Sequence, residues 1–296
     1  MSAPTVHVPV LPAEVLAWLD PAPGKFFVDG TLGGGGHTRM LAERVGETGT
    51  VIAVDRDVAA LERAEQTLTG LPVKIAHANF VEIPKILDSL EIDKVDGILL
   101  DLGLSSDQLA DEERGFSFDS TGPLDLRFDF RDKKTAADLV NHLKEKDLAD
   151  LIYGNGEERL SRRIARKICL VRKETPFETS KQLADVVASC YPPVAGSGRG
   201  RIHPATRTFQ ALRIAVNREL SSLETALETL PDRLKPGGRL AIISFHSLED
   251  RPVKQAFLAD PRLKPLTKKP IIAGDEETAI NPRSRTAKLR IAERVA

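Results

Sequence analysis

Three apolar runs in the first hundred residues each end in an aspartate: FFVD at Phe26–Asp29, VIAVD at Val51–Asp55 and GILLD at Gly97–Asp101. Four consecutive glycines, Gly33 to Gly36, follow the first run and open a helical pattern. Glycines at such a turn let the backbone approach a ligand closely, and an acid ending the next strand, about twenty residues on, can grip a ribose diol. Asp55 stands at that position and would accept two charge-assisted hydrogen bonds from the hydroxyls. The pattern predicts a Rossmann-type site for an adenosine cofactor. The glycines and Asp55 leave NAD(P) and S-adenosylmethionine both open.

The elements that must position these residues alternate in type. Val8–Trp18 reads as a lead-in segment with a short helix. Strands at Phe26–Asp29, Val51–Asp55, Val73–His77 and Gly97–Asp101 are then separated by helices at about His37–Val45, Val58–Leu68 and Pro84–Leu90. This alternation predicts an α/β fold with a parallel sheet, helices on both faces and the strand ends on one edge. After Ser106 it stops. Residues 108–131 are loop-like, 136–191 are helical in period, and 192–204 (PPVAGSGRGRIHP) read as an exposed linker. A long helix from about Pro204 to Leu230 leads to a Gly237–Gly238 turn, a fifth strand at Arg239–Ser244 and a last one at 287–295. The economical domain division is 1–110 and 208–296 as one α/β domain, with 111–207 as a helical insertion for substrate recognition.

Composition bounds the function. The chain has 296 residues, 41% hydrophobic and 29% charged, with a net charge of −1. That is ordinary for a globular protein, and no apolar run is long enough for a membrane span. The N-terminus lacks a basic region followed by an apolar core, so no secretory signal is expected and a cytoplasmic location is. The only cysteines, Cys169 and Cys190, offer neither a zinc spacing nor a disulfide framework, and no metal is expected.

The motifs as a series resemble one family. HVPVL (7–11), DGTLGGGGHT, AVDRD, DGILLDLGLSS and ERGFSFDSTGPLDLRFD are similar to the MraW family, the small-subunit ribosomal RNA methyltransferases H. So are HPATRTFQALRIAVNREL (203–220), KPGGRLAIISFHSLEDRPVK (235–254) and NPRSRTAKLRIAER (281–294). The resemblance spans essentially the whole chain in order. It implies a Rossmann-like S-adenosylmethionine-dependent methyltransferase sheet with an inserted all-helical domain. The implied activity is N4-methylation of a cytidine in the decoding centre, the P-site region, of 16S ribosomal RNA within the small subunit. No obligatory protein partner is implied, and a homodimer is left open. The cofactor contacts it implies are Gly35, Gly36, His37, Asp55, Phe80, Asp101 and Gln108. Taken alone, Phe80 suits core packing equally well, and His37 a helix start.

Asp101 has a chemical reason to be catalytic. The cytosine amine is a poor nucleophile because its lone pair is delocalised into the ring. An acceptor for its N–H groups draws the nitrogen toward tetrahedral geometry, and Asp101, with Ser105, could serve. Here the chain departs from the D/N/S-P-P-Y/F signature of many amino-methyltransferases, reading Asp101-Leu102-Gly103-Leu104. Phe116 or Phe118 would replace the missing aromatic on an extruded base, unless they only pack the lid. Asp125 and Arg127 read more simply as a turn-stabilising ion pair. Ring-carbon methylation is disfavoured, since neither cysteine lies in a suitable loop.

RNA binding is expected from local charge. Arg159–Lys173 carries seven basic residues and no acid (Arg159, Arg162, Arg163, Arg166, Lys167, Arg172, Lys173). Gly196–Arg218 adds Arg199, Arg201, Arg207, Arg213 and Arg218, again without an acid. Such patches track phosphates, although many charge runs are only solvated helix faces. Arg162, Arg163, Arg166, Arg207 and His246 are the expected RNA contacts, with His203 as a further one. Three rivals have distinct signatures: an NAD(P)-dependent oxidoreductase needs a proton donor after the fourth strand, a DNA amino-methyltransferase would not require 2′-hydroxyls, and a non-catalytic assembly factor would transfer no methyl.

Overall fold

The computed structural model describes residues 8–192 and 203–295. His7 and most of the expected linker, with Arg199 and Arg201, lie outside the described residues. The chain forms two compact units, Met1–Ser105 with Leu220–Ala296, and Ser106–Glu219.

In the first unit α1 (Pro12–Leu19), β1 (Phe26–Asp29), α2 (Gly36–Val45), β2 (Thr50–Asp55), α3 (Val58–Thr67), β3 (Val73–His77), α4 (Ile83–Ser89) and β4 (Val95–Asp101) follow the expected alternation. The second unit is helical: α5 (Ser106–Ala110), α6 (Ala136–His142), α7 (Glu145–Gly156), α8 (Ser161–Val171), α9 (Ser180–Ala188) and α10 (Thr206–Asn217). The chain then continues through α11 (Glu219–Thr229), β5 (Leu234–Ser244), α12 (Ser247–Ala259), β6 (Leu263–Pro265), α13 (Asp275–Ile280) and β7 (Lys288–Arg294).

The sheet order is β3-β2-β1-β4-β5-β7-β6. β1 to β5 pair in parallel, whereas β7 is antiparallel to both β5 and β6. The expected parallel sheet thus holds through β5, and the final strand, whose direction the sequence did not indicate, runs against it. After β6 the chain stays at the carboxyl edge through α13 and enters β7 from there, so no crossover reverses it. β6 was not legible in sequence because three residues ending in Pro265 carry no alternation. Two further differences are local. The long helix expected over 204–230 is interrupted at Arg218, which adopts a left-handed φ of 53°. The fifth strand starts at Leu234, and KPGG is a bulge within it where pairing with β4 jumps from Val95↔Leu234 to Gly97↔Arg239.

Strand period explains the core. Phe27, Val51, Leu99, Ala241 and Ile243 pack against Val15, Leu41 and Val45 on one face. Val28, Ile52, Leu100, Leu240 and Ile242 pack against Leu87, Leu223, Leu227, Val253 and Phe257 on the other. Burial on both faces is why these strands read as unbroken apolar runs. β2 and β3 lie to one side of β1, and β4 and β5 to the other. The topological switch point is therefore between β1 and β4, where doubly wound sheets open a crevice at the carboxyl ends.

In the second unit α8 buries Ile164, Ala165 and Ile168 and exposes Arg162, Arg163, Arg166 and Lys167. α6 and α9 open with capping boxes, Thr135 with Asp138 and Thr179 with Gln182.

Candidate active site

Asp29, Asp55 and Asp101 end three strands of one sheet on the same edge. Asp29 is 1% exposed and fully engaged. Its carboxylate accepts the Thr38 hydroxyl at 2.7 Å and the Thr31 N–H at 3.1 Å. Thr31 Oγ1 in turn accepts the Asp101 N–H at 2.6 Å. One buried acid thereby ties the first turn of α2 to the end of β4. Sequence reasoning passed over Asp29, Thr31 and Thr38. The signal was present, since Asp29 ends its run as Asp55 and Asp101 end theirs.

Asp55 organises the glycine turn from the other side. Its Oδ2 accepts the Gly33 N–H at 2.8 Å and its Oδ1 the Asp57 N–H at 2.9 Å. The Arg56 amide is a third partner, and as a carboxylate offers about four acceptor positions, capacity remains for about one ligand hydroxyl. Burial pushes its pKa up, against the lowering by the Asp57 and Gly33 amides. Gly35 caps α2 at φ 77°. Gly36 sits at a close approach: a Cβ there would stand 3.0 Å from the Pro9 ring, which would have to shift by a few tenths of an ångström. Pro9 therefore packs directly on the glycine turn.

Asp101 has one oxygen near a buried imidazole and one unused. Oδ2 lies 3.6 Å from His37 Nε2. Oδ1 is buried and has no hydrogen-bond partner among the described residues. Burial, helped by the nearby Asp29 charge, pushes the carboxyl up to about 8, while Arg283 opposes the rise. An unsatisfied buried carboxyl oxygen is costly unless a ligand completes it. The turn after it is built without proline. Leu102 donates its N–H to Ile243 O at 3.0 Å, and Gly103 at φ 112° lies against the Phe245 ring. Phe245 thus braces the turn that a proline pair would otherwise stiffen.

The cofactor-site residues expected on the first unit, Gly35, Gly36, His37, Asp55 and Asp101, converge on this edge. Phe80 follows β3 at the same edge, partly buried, with its Cβ close above Gly30. His246 caps α12 just beyond β5, its Nε2 3.2 Å from Oε1 of the buried Glu249. Glu249 also accepts the Phe245 N–H at 2.8 Å. Neither Glu249 nor Arg283 was singled out from sequence.

The other expected residues lie in the second unit. Gln108 is buried in α5. Phe116 is buried against Phe128, centroids 5.7 Å apart. Phe118 stacks on His203 at 4.6 Å and meets Phe209 edge-on. Both rings therefore pack within their own unit. Asp125 holds Arg127 in a two-pronged ion pair, 2.8 and 2.6 Å, the turn-stabilising role. Asn217 of α10 clips this loop, accepting the Phe128 N–H and donating to Leu126 O, both at 2.7 Å.

The basic blocks resolve into unlike members. Arg162, Arg163, Arg166, Lys167 and Arg207 are exposed. Arg166 meets Glu145 at 3.5 Å and Arg207 donates to Glu157 O at 3.3 Å. Two arginines leave the expected phosphate-facing set. Arg172 caps the end of α6 through Val140 O and Leu143 O, and Arg213 is held bidentate by Glu219. That acid lies one residue beyond the acid-free block. Among the described residues no helix is long and apolar enough to cross a membrane.

Comparison with known proteins identifies the family. The model of the MraW methylase family matches residues 4–295. A ribosomal RNA small subunit methyltransferase H of Deinococcus deserti is 53% identical, covering 98% of this chain and 94% of its own length. The Deinococcus radiodurans protein of that name is 52% identical over 100% and 92%, and that of Geobacter sulfurreducens 50% over 98% and 99%. Agreement at this identity along both lengths shows common descent: the chain belongs to the MraW methylase family, whose enzymes are S-adenosylmethionine-dependent methyltransferases.

Proposed function

We propose that this protein methylates the exocyclic N4 of a cytidine in the decoding centre of 16S ribosomal RNA. The unpartnered Oδ1 of Asp101 at the switch point carries this reading, because an amine acceptor is what the chemistry requires. The relatives are named for small-subunit ribosomal RNA methylation, which supports the substrate class.

The residues present suit the cofactor. The glycine turn would take its amino-acid end, Asp55 its ribose and Phe80 its adenine. Bound S-adenosylmethionine supplies an electrophilic methyl on a sulfonium cation. Asp101 Oδ1 accepts an N–H of the target amine and localises the nitrogen lone pair. As a carboxyl raised to about 8, Asp101 accepts best once ionised, and a cation beside it favours that form. Thr31 and Asp29 fix the Asp101 backbone, and His37 limits the swing of Oδ2. Alignment of nucleophile and methyl contributes the larger share, on the order of 7–11 kcal/mol in favourable cases.

Isolated small subunits incubated with methyl-labelled cofactor should acquire label that co-migrates with N4-methylcytidine after digestion. Label only on a ring carbon or a ribose would sink the proposal.

The exposed face of α8 supplies phosphate contacts. Substituting Arg162, Arg163 and Arg166 together with Gln should weaken RNA binding and flatten its salt dependence by about 2–3 in log–log slope. Cofactor affinity should hold. An unaltered slope would make α8 a solvated face.

The raised carboxyl also has a stability consequence. Between its ordinary value of 3.8 and about 8, native Asp101 keeps a proton that the unfolded chain releases. The cofactor-free protein should therefore lose stability as pH rises from about 4 to 8. Asp101→Asn removes that contribution, so its Tm should fall less than wild type between pH 5.5 and 8.5. Parallel Tm–pH curves would show that Asp101 ionises normally.

A further inference from the structure

Pairing across the sheet identifies what shares an edge with Asp101. Asp101 pairs with Ile243 of β5, Ile243 with Leu289 of β7, and Leu289 with Ile271 in the loop after β6. Leu266, at the start of that loop, donates its N–H to Ile291 O at 3.0 Å. β7 thus advances two residues while the loop spends five, and residues 267–270 bulge outward at the last pleat before the carboxyl edge. Lys268 and Lys269 are exposed on this bulge. β7 enters the sheet from the same edge, so the turn Pro282–Thr286 leading into it lies there too, with Arg285 exposed.

None of these three cations has an ion-pair partner among the described residues, whereas Lys288 and Arg290 nearby are both held by Asp250. Edge protection does not account for them. Lysine and proline on an outer strand discourage strand addition, and Lys264 and Pro265 of β6 already meet that need. Lys268, Lys269 and Arg285 lie beyond the strand, on two separate loops. Asp275 and Glu276 open the helix between those loops, so the positive charge forms discrete points rather than one diffuse field. Three strand spacings of about 4.8 Å put the bulge roughly 14 Å from Asp101 along the edge. A base held at Asp101 would leave the phosphates of neighbouring nucleotides, not its own, at that range.

We propose that Lys268, Lys269 and Arg285 form a cationic ledge on the Asp101 edge of the sheet that grips backbone phosphates of the nucleotides flanking the target base. This rests on the RNA methyl-transfer reading above. The ledge belongs to the sheet unit itself and is independent of the α8 surface.

The test uses the full-length protein with Lys268→Gln, Lys269→Gln and Arg285→Gln combined, titrated with small-subunit RNA over a range of salt. Three single-strand phosphate contacts predict a log–log slope shallower by about 2 and an affinity loss on the order of tenfold. Cofactor affinity and Tm should stay at wild-type values, and Lys268→Arg with Lys269→Arg should retain the slope. An unchanged slope in a variant whose wild type still methylates the RNA overturns the ledge and leaves the proposed function standing. If wild type itself transfers no methyl to RNA, both fall. A triple variant that loses binding to phosphatidylglycerol vesicles but keeps its RNA slope would assign the ledge to a lipid surface and overturn the proposal.

Discussion

Asp101→Ala should lower single-turnover methyl transfer by about a hundredfold or more, the usual cost of deleting one preorganised polar contact to a transition state. The measurement requires saturating cofactor and saturating small-subunit RNA, because Asp101 also borders the cofactor crevice and its loss can weaken binding. Asp101→Asn separates the two roles. It keeps an oxygen for the amine N–H and removes the charge, so it should retain more activity than alanine. It should also lose the rise in kcat/KM expected of wild type as pH climbs toward about 8 and the carboxyl ionises. A rate for Asp101→Ala within about threefold of wild type is only about 0.65 kcal/mol of barrier. That result would reduce Asp101 to a residue that holds the turn.

Asp55→Ala should raise the dissociation constant for S-adenosylmethionine by roughly tenfold or more, since hydrogen bonds to charged groups are worth about 1.5–3 kcal/mol each. The structure gives this variant two routes to that loss. Asp55 would bind the ribose, and it also holds the Gly33 and Asp57 amides that shape the turn. Comparison with a cofactor analogue lacking one ribose hydroxyl distinguishes them. If Asp55 acts only through the turn, the hydroxyl should be worth as much to the variant as to wild type. If it grips the ribose, the hydroxyl's contribution should largely vanish in Asp55→Ala. Calorimetry on both proteins provides the four affinities, and unchanged affinity for the variant would remove Asp55 from the site altogether.

Much of the sheet was legible because its signals are local. Apolar runs of four to seven residues ending in Asp29, Asp55 and Asp101 mark β1, β2 and β4, and strands buried on both faces must be apolar throughout. β6 and the reversal of β7 were not legible. A three-residue edge strand has no pattern of its own, and strand direction depends on which edge the chain occupies when it returns. The break at Arg218 was equally hidden. The helical period runs unbroken through it, and the left-handed residue follows the bidentate pairing of Arg213 with Glu219 across it.

The candidate site divides along the same line. Residue types and spacing by themselves determined the glycine turn, the acid on the second strand and the acid after the fourth, because each is defined by its own neighbours in the chain. Only the tertiary structure decided that Asp29, given no role from sequence, ties α2 to β4, that burial together with the Asp29 charge raises Asp101, that Asp101 keeps one oxygen unused, and that Arg172 and Arg213 are structural while Arg162 and Arg163 are exposed. Burial, hydrogen-bond saturation and the field of one charge on another act through space. Asp29 and Asp101 are 72 positions apart in sequence, yet they end adjacent strands of one sheet.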